Sequence, residues 1–214
     1  MPTTQIVNWE LVPGSEIVNG SDLASKGDHC GKEMFEQDGR QKLRFGMHLE
    51  HPAKLTMLLR EYSAKRCIVT ALPPPNVPET PSLIMTGQAE VLHVDFEPQR
   101  GFYEAVSAPV TEVATFAFDS SPPEDAYRNV EKAIEALKKE GVKDHGWSYG
   151  EHARDGDEGG CKGKSAVLVV GWESVEKHME VRGSQAFNDN MRYLGNGANS
   201  VEVHHVQFKQ SNRN

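Results

Sequence analysis

The stretch GWESVEKHMEVRGSQAF, Gly171 to Phe187, puts Trp172, Glu176, His178 and Arg182 within eleven consecutive positions. An imidazole can move a proton near neutral pH, and a guanidinium can hold a developing anion. An indole beside them can wall an aromatic ligand. The same residues have a plainer reading. Trp172 then packs where a strand meets a helix, while Glu176, His178, Glu180 and Arg182 make a solvated helix face. Trp147 and Tyr149 lie two apart on a strand and so face one side of it. With Tyr103 they are either ring-stacking walls or core aromatics. His93 and His205 occupy matching positions in two similar segments, EVLHVDF and EVHHVQF. Repetition points first to structure, a strand histidine bonded to a neighbour, and only then to catalysis. His205, Arg182 and His178 are therefore the candidate groups for handling a proton or an anion.

Other chemistries find less support. His48 and His51 flank Glu50, but no second cluster with convincing ligand spacing accompanies them, so no metal is expected. GGCKGKS resembles a phosphate-binding loop, yet Glu158 stands where its first glycine belongs, and a strand follows instead of a helix. DGDEGG opens like a calcium loop, but the twelfth position from Asp155 is Ala166 rather than a bidentate glutamate. The three cysteines, Cys30, Cys67 and Cys161, are odd in number and far apart. They give neither a disulfide framework nor a CxxC pair, as expected of reduced thiols in a cytoplasmic protein. A net charge of −8 argues against non-specific nucleic-acid binding, which needs a basic face. No apolar run approaches the roughly 20 residues of a membrane helix. The N-terminal MPTTQIVNWELV lacks the basic flank and unbroken apolar run of a signal peptide.

The elements that position these residues come in two copies. EVLHVDF, Glu90 to Phe96, and EVHHVQF, Glu202 to Phe208, agree at five positions 112 apart. TQIVNWEL (Thr4 to Leu11) answers TEVATFAF (Thr111 to Phe118), and KLTMLL answers SAVLVV. A boundary falls in PQRGFYEAVSAP, giving repeats over 1–98 and 110–209, a linker at 99–109 and a tail at 210–214. In the second repeat a strand near 111–118 leads to Ser121, Pro122 and Glu124, a capping box with proline at the first helical position. Ala126, Val130, Ala133, Ile134 and Leu137 then share one helical stripe. Strands near 146–152 and 165–172 follow, joined by a glycine-rich hairpin. The stretch after Trp172 starts a second helix that Gly183 interrupts, with Ser184 capping a continuation. A strand near 201–208 closes a β-α-β-β-α-β order, the ferredoxin-like arrangement. The first repeat departs from this where REYSAKRCIVTALPPPNVPETPS carries five prolines, which no full helix can accommodate. Either a loop replaces that helix or the translated gene sequence departs there from the natural one.

Two units ending in V-x-H-V-x-F, with W-E-S-V-E opening a helix and S-x-x-F further along it, resemble the dimeric α+β barrel superfamily. Within it they are similar to the antibiotic-biosynthesis-monooxygenase domain proteins, above all to fungal tandem-repeat members. FGMHLEHPAKL and IMTGQAEVLHVDFEP resemble the same group. The resemblance implies an α+β fold of two tandem ferredoxin-like (βαββαβ) repeats forming an α+β barrel pseudo-dimer, with helices outside. A further homodimer of the tandem chain stays open. Val113, Leu168, Val170, Val201 and Val203 are candidates for the covered sheet faces.

The resemblance also implies a pocket between sheet and helices for a small aromatic metabolite. Such enzymes oxidise polycyclic phenols or anthrones with molecular oxygen and no cofactor, and one branch degrades haem. The protein's task is to deprotonate the substrate and stabilise its anion. Trp172 stands at the family's Trp position, and Asn8 resembles the strand Asn of the haem-degrading branch, although its counterpart in the second half is Thr115. His178 lies six residues after Trp172, where the family's His lies nine or ten after, so a haem-ligand role does not transfer. Arg182 holds that later position. The implied site is Trp172, Trp147, Tyr149 and Asn8 around the substrate, with His205, Arg182 or His178 handling the proton; no cofactor is expected. The alternative is a non-catalytic barrel that binds a metabolite or answers stress.

Overall fold

The computed structural model describes residues 3–12, 40–61, 85–139, 145–151 and 164–211. The proline-rich segment and the hairpin at 152–163 lie outside them. Two compact units result, Met1–His93 with Phe208–Asn214, and Val94–Gln207. The first holds β1 (Thr4–Leu11), β2 (Arg40–Met47), β3 (Lys54–Glu61) and β4 (Met85–Val94). The second holds α1 (Gln99–Ala105), β5 (Val110–Ala117), α2 (Ala126–Lys139), β6 (Trp147–Glu151), β7 (Ser165–Trp172), α3 (Val175–Arg182), α4 (Gln185–Leu194) and β8 (Ser200–Val206). A last strand, β9 (Lys209–Ser211), belongs to the first unit.

The first sheet runs β4-β1-β3-β2-β9 and the second β6-β7-β5-β8. Numbered by order within each half, both read fourth, first, third, second, which is the ferredoxin-like order. The registered pairs are antiparallel. The fold class is α+β.

In the second unit β5 alternates. Val110, Ala114 and Phe116 join Leu168, Val170, Trp172 and Tyr149 in one core, together with Val130 and Ile134 of α2. Val113 is buried on the other side of the strand. The run AVLVV in β7 has no polar alternation because it is buried on both faces. Val201 and Val203, expected among the covered residues, are instead 47% and 40% exposed, because β8 is the edge of its sheet.

The helix boundaries follow from local chemistry. α2 starts at Ala126 rather than Pro122. A residue before proline is pushed away from the helical region, so the pair Pro122-Pro123 disfavours helix at Ser121 and Pro122 and defeats the expected capping box. A turn, Ala126 N donating to the Pro123 carbonyl at 2.9 Å, leads in instead. Ser174 caps α3 by accepting from Lys177 N at 3.3 Å. Ser184 both donates to the Val181 carbonyl and accepts from Phe187 N, so one hydroxyl ends α3 and starts α4.

Residues 99–109, read from sequence as a linker, contain α1. This helix lies so close to the sheet that a side chain on Gly171 would come within 2.9 Å of the Ala105 Cα. Of the residues read as a tail, 210 and 211 belong to β9, where Lys209 pairs with Phe45 and Ser211 with Leu43, and 212–214 lie outside the described residues. At the equivalent position in the first half, Glu97 exchanges two backbone hydrogen bonds of 2.9 Å with Tyr149.

Ser184→Ala should lower the unfolding free energy by about 1 kcal/mol in urea titrations, and Ser184→Asp should retain most of it. An alanine variant as stable as the parent would mean that the hydroxyl does not hold the junction.

Candidate functional site

Along β5 the core-facing positions read Val110, Glu112, Ala114 and Phe116, so one carboxylate interrupts an apolar stripe. Antiparallel pairing on both sides places Val170 of β7 and His205 of β8 directly opposite Glu112. Trp172 lies two residues past Val170 on the same face. The Ser174 cap then turns the chain into α3, whose fourth residue, His178, is buried.

These four side chains form one cluster. The Trp172 indole Nε1 donates to Glu112 Oε2 at 2.8 Å. His178 Nε2 lies 3.4 Å from the same oxygen, an electrostatic contact rather than a full hydrogen bond. On its other side His178 Nδ1 meets His205 Nε2 at 2.7 Å. The Trp172 and His178 rings stack with centroids 5.0 Å apart. Only one proton fits between the two imidazoles, so one nitrogen of that pair is bare. The carboxylate favours a proton on His178 Nε2. A neutral His178 in that state accepts at Nδ1 from His205, and a charged one donates there. The cluster is thus a short proton path ending on a carboxylate. His178 and His205 are 2% and 4% exposed, and the Glu112 side chain 12%.

The structure separates the other candidates. Arg182, Glu176 and Glu180 are exposed, so the solvated-face reading describes them but not His178. Trp147 and Tyr149 pack with Tyr127, at centroid distances of 6.0 and 6.4 Å. The space beside Tyr149 is about 10 Å³, room for a single water, and burial pushes its phenol well above the usual range. Those aromatics are core around α2. Tyr103 packs edge-on to Phe102. An open cleft of about 530 Å³, lined by Glu104, Ser107, Ala108, Pro109, Lys138, His145 and Gly146, contains none of the candidates.

Asn8 belongs to the first unit and faces away from the cluster of Val7, Leu11, Leu55, Met57 and Leu59. It accepts from Thr56 Oγ1 at 2.7 Å and donates to Glu90 Oε2 at 2.9 Å. Thr56 has one hydroxyl proton, already given to Asn8, so His48 Nε2 at 2.7 Å must be the donor to Thr56. Burial first, then the Lys54 charge, push the His48 pKa down to about 4. Among the described residues of this half the acid–imidazole pair has no copy. Gln5 stands at the place of Glu112, although His93 matches His205.

No protein-family model and no curated protein matches the sequence. Solved structures do. An anthrone oxidase-like protein superposes with a TM-score of 0.62 at 10% identity, covering 98% of this chain and 93% of that one. A candidate monooxygenase from Fusobacterium nucleatum gives 0.57 at 12% identity over 99% and 94%. Another from Lactobacillus acidophilus gives 0.56 at 9% over 98% and 95%. At such identities the similarity establishes the fold alone. Among the described residues no helix is long and apolar enough to cross a membrane.

The lowered His48 pKa fixes a sign. The unfolded chain takes up this proton near pH 6.5 and the folded chain only near 4. The contribution is therefore complete above pH 6.5 and lost as pH falls towards 4. His48→Gln should flatten the pH dependence of stability in that window, and an unchanged slope would contradict the assignment.

Proposed function

We propose that the chain binds a small aromatic metabolite beside β8 and deprotonates it, acting as a cofactor-independent monooxygenase of polycyclic phenols or anthrones. The observation that carries this reading is the buried Glu112–His178–His205 path. A proton taken by His205 at Nδ1 releases its Nε2 proton to His178 Nδ1, and the imidazolium so formed faces the Glu112 carboxylate. Glu112 and Trp172 act as positioning residues: they hold His178 in the tautomer that can receive. Val201 and Val203 lie exposed on the same face of β8 as His205 and offer an apolar bed for the rings. The substrate anion supplies the electrons. For an anthrone, a CH₂ group and one O₂ become a carbonyl and water, so no flavin or metal is required by the balance. The relatedness in fold to an anthrone oxidase-like protein supports this choice of substrate class.

A second reading, a metabolite-binding barrel without catalysis, is favoured by the depth of His178 and His205. Oxygen uptake with tricyclic phenols and anthrones separates the two. His205→Gln should lower kcat by about 10²–10⁴-fold. Glu112→Gln should also lower it, whereas the exposed Arg182→Gln should change it little. Full turnover in His205→Gln would remove the imidazole path from the mechanism, and no uptake with any of these compounds would leave the binding reading.

A further inference from the structure

We infer that Glu112, His178 and His205 also form a binding site for one divalent first-row transition-metal ion. Each residue offers one ligand atom, and these atoms all lie within 4.8 Å of one another. The three come from β5, α3 and β8, so the sheet register and the Ser174 cap, not a flexible loop, bring them together. Two imidazoles with one carboxylate suit zinc, iron, cobalt or nickel better than magnesium or calcium, which prefer all-oxygen shells.

The separation of the two imidazole nitrogens suits such an ion. Metal–ligand bonds of about 2.0–2.2 Å at angles near 90–110° put neighbouring ligand atoms about 3.0–3.6 Å apart. The His178 Nδ1 to His205 Nε2 separation of 2.7 Å must therefore widen by only a few tenths of an ångström. The outer shell is present as well: Trp172 Nε1 donates to the carboxylate and its indole stacks on His178, fixing both ligands in orientation. His178 coordinates through Nδ1 and keeps its Nε2 proton. His205 coordinates through Nε2 and carries its proton on Nδ1. No net proton need leave a neutral pair.

This inference goes beyond the oxygenation reading and stands in competition with it. A bound cation takes the lone pairs that would pass the substrate proton, so occupancy blocks the imidazole path. The site then gives the chain a metal-dependent off state.

Co²⁺ is the probe, added to chelator-treated full-length protein without substrate. One equivalent per chain should bind with visible d–d bands and should shift the Trp172 indole N–H resonance. Trp172→Phe, which also assigns that resonance, should weaken binding about tenfold. Both His205→Gln and Glu112→Gln should abolish the tight site, while His48→Gln leaves it intact. Absence of the bands, retention of tight binding in both ligand variants, or binding that leaves the Trp172 signal unmoved would each overturn the inference. The last readout uses the unaltered chain, so a variant that fails to fold does not block the test. Because no substrate is present, loss of this inference leaves the oxygenation reading standing, and the reverse also holds.

Discussion

A carboxylate on the core face of β5 is the constraint around which the second unit is arranged. Glu112 sits in a stripe with Val110, Ala114 and Phe116, where an unpaired charge would cost several kcal/mol. The structure offsets that cost with the Trp172 indole proton and the His178 imidazole, and His178 is in turn held by His205. Each partner comes from a different element. The position of α3, the end of β7 and the register of β8 are therefore tied to one side chain. Both neighbours meet the same oxygen, Glu112 Oε2, the Trp172 indole N–H by a full hydrogen bond and the His178 imidazole by a longer electrostatic contact, so removing Trp172 takes away a full hydrogen bond to that oxygen.

The two halves share a sheet order but not this arrangement. Where the second half has Glu112, the first has the neutral Gln5, buried and carrying no charge to compensate. The opposite face of the first sheet carries a ladder from His48 through Thr56 and Asn8 to Glu90. In the first half burial and the Lys54 charge keep His48 uncharged, whereas the second half holds a histidine against an anion. Two halves with one strand order thus carry two different polar arrangements.

Much of the second unit is legible in its sequence because the relevant signals are local. The AVLVV run marks a strand buried on both faces, and Ser184 after Gly183 marks a new helix start. The site is less legible. In VEKHMEVR the buried residue is His178 while Met179 is 51% exposed, so hydrophobic periodicity points away from the truth. Its burial follows from Glu112, a partner 66 positions earlier that no helical pattern can reveal. Glu112 itself has a signal, the single charged residue in the V-x-E-x-A-x-F alternation, but a lone acid on a strand does not say which histidine it meets. Trp147 and Tyr149 do share a strand face, as their spacing says, but sequence cannot tell that α2 fills the space in front of them. Val201 and Val203 read as core because alternation does not distinguish an edge strand from a central one.

The central claim is that Glu112 fixes the protonation of His178 and leaves one movable proton between the imidazoles. Long-range ¹H–¹⁵N correlation spectra of histidine-labelled protein at neutral pH measure it directly. The account predicts that His178 carries a proton on Nε2, slowed in exchange by burial, and that Glu112→Gln weakens this preference. A His178 whose Nε2 is bare in the unaltered protein would contradict it, because the carboxylate would then face a lone pair and could not be what organises the cluster.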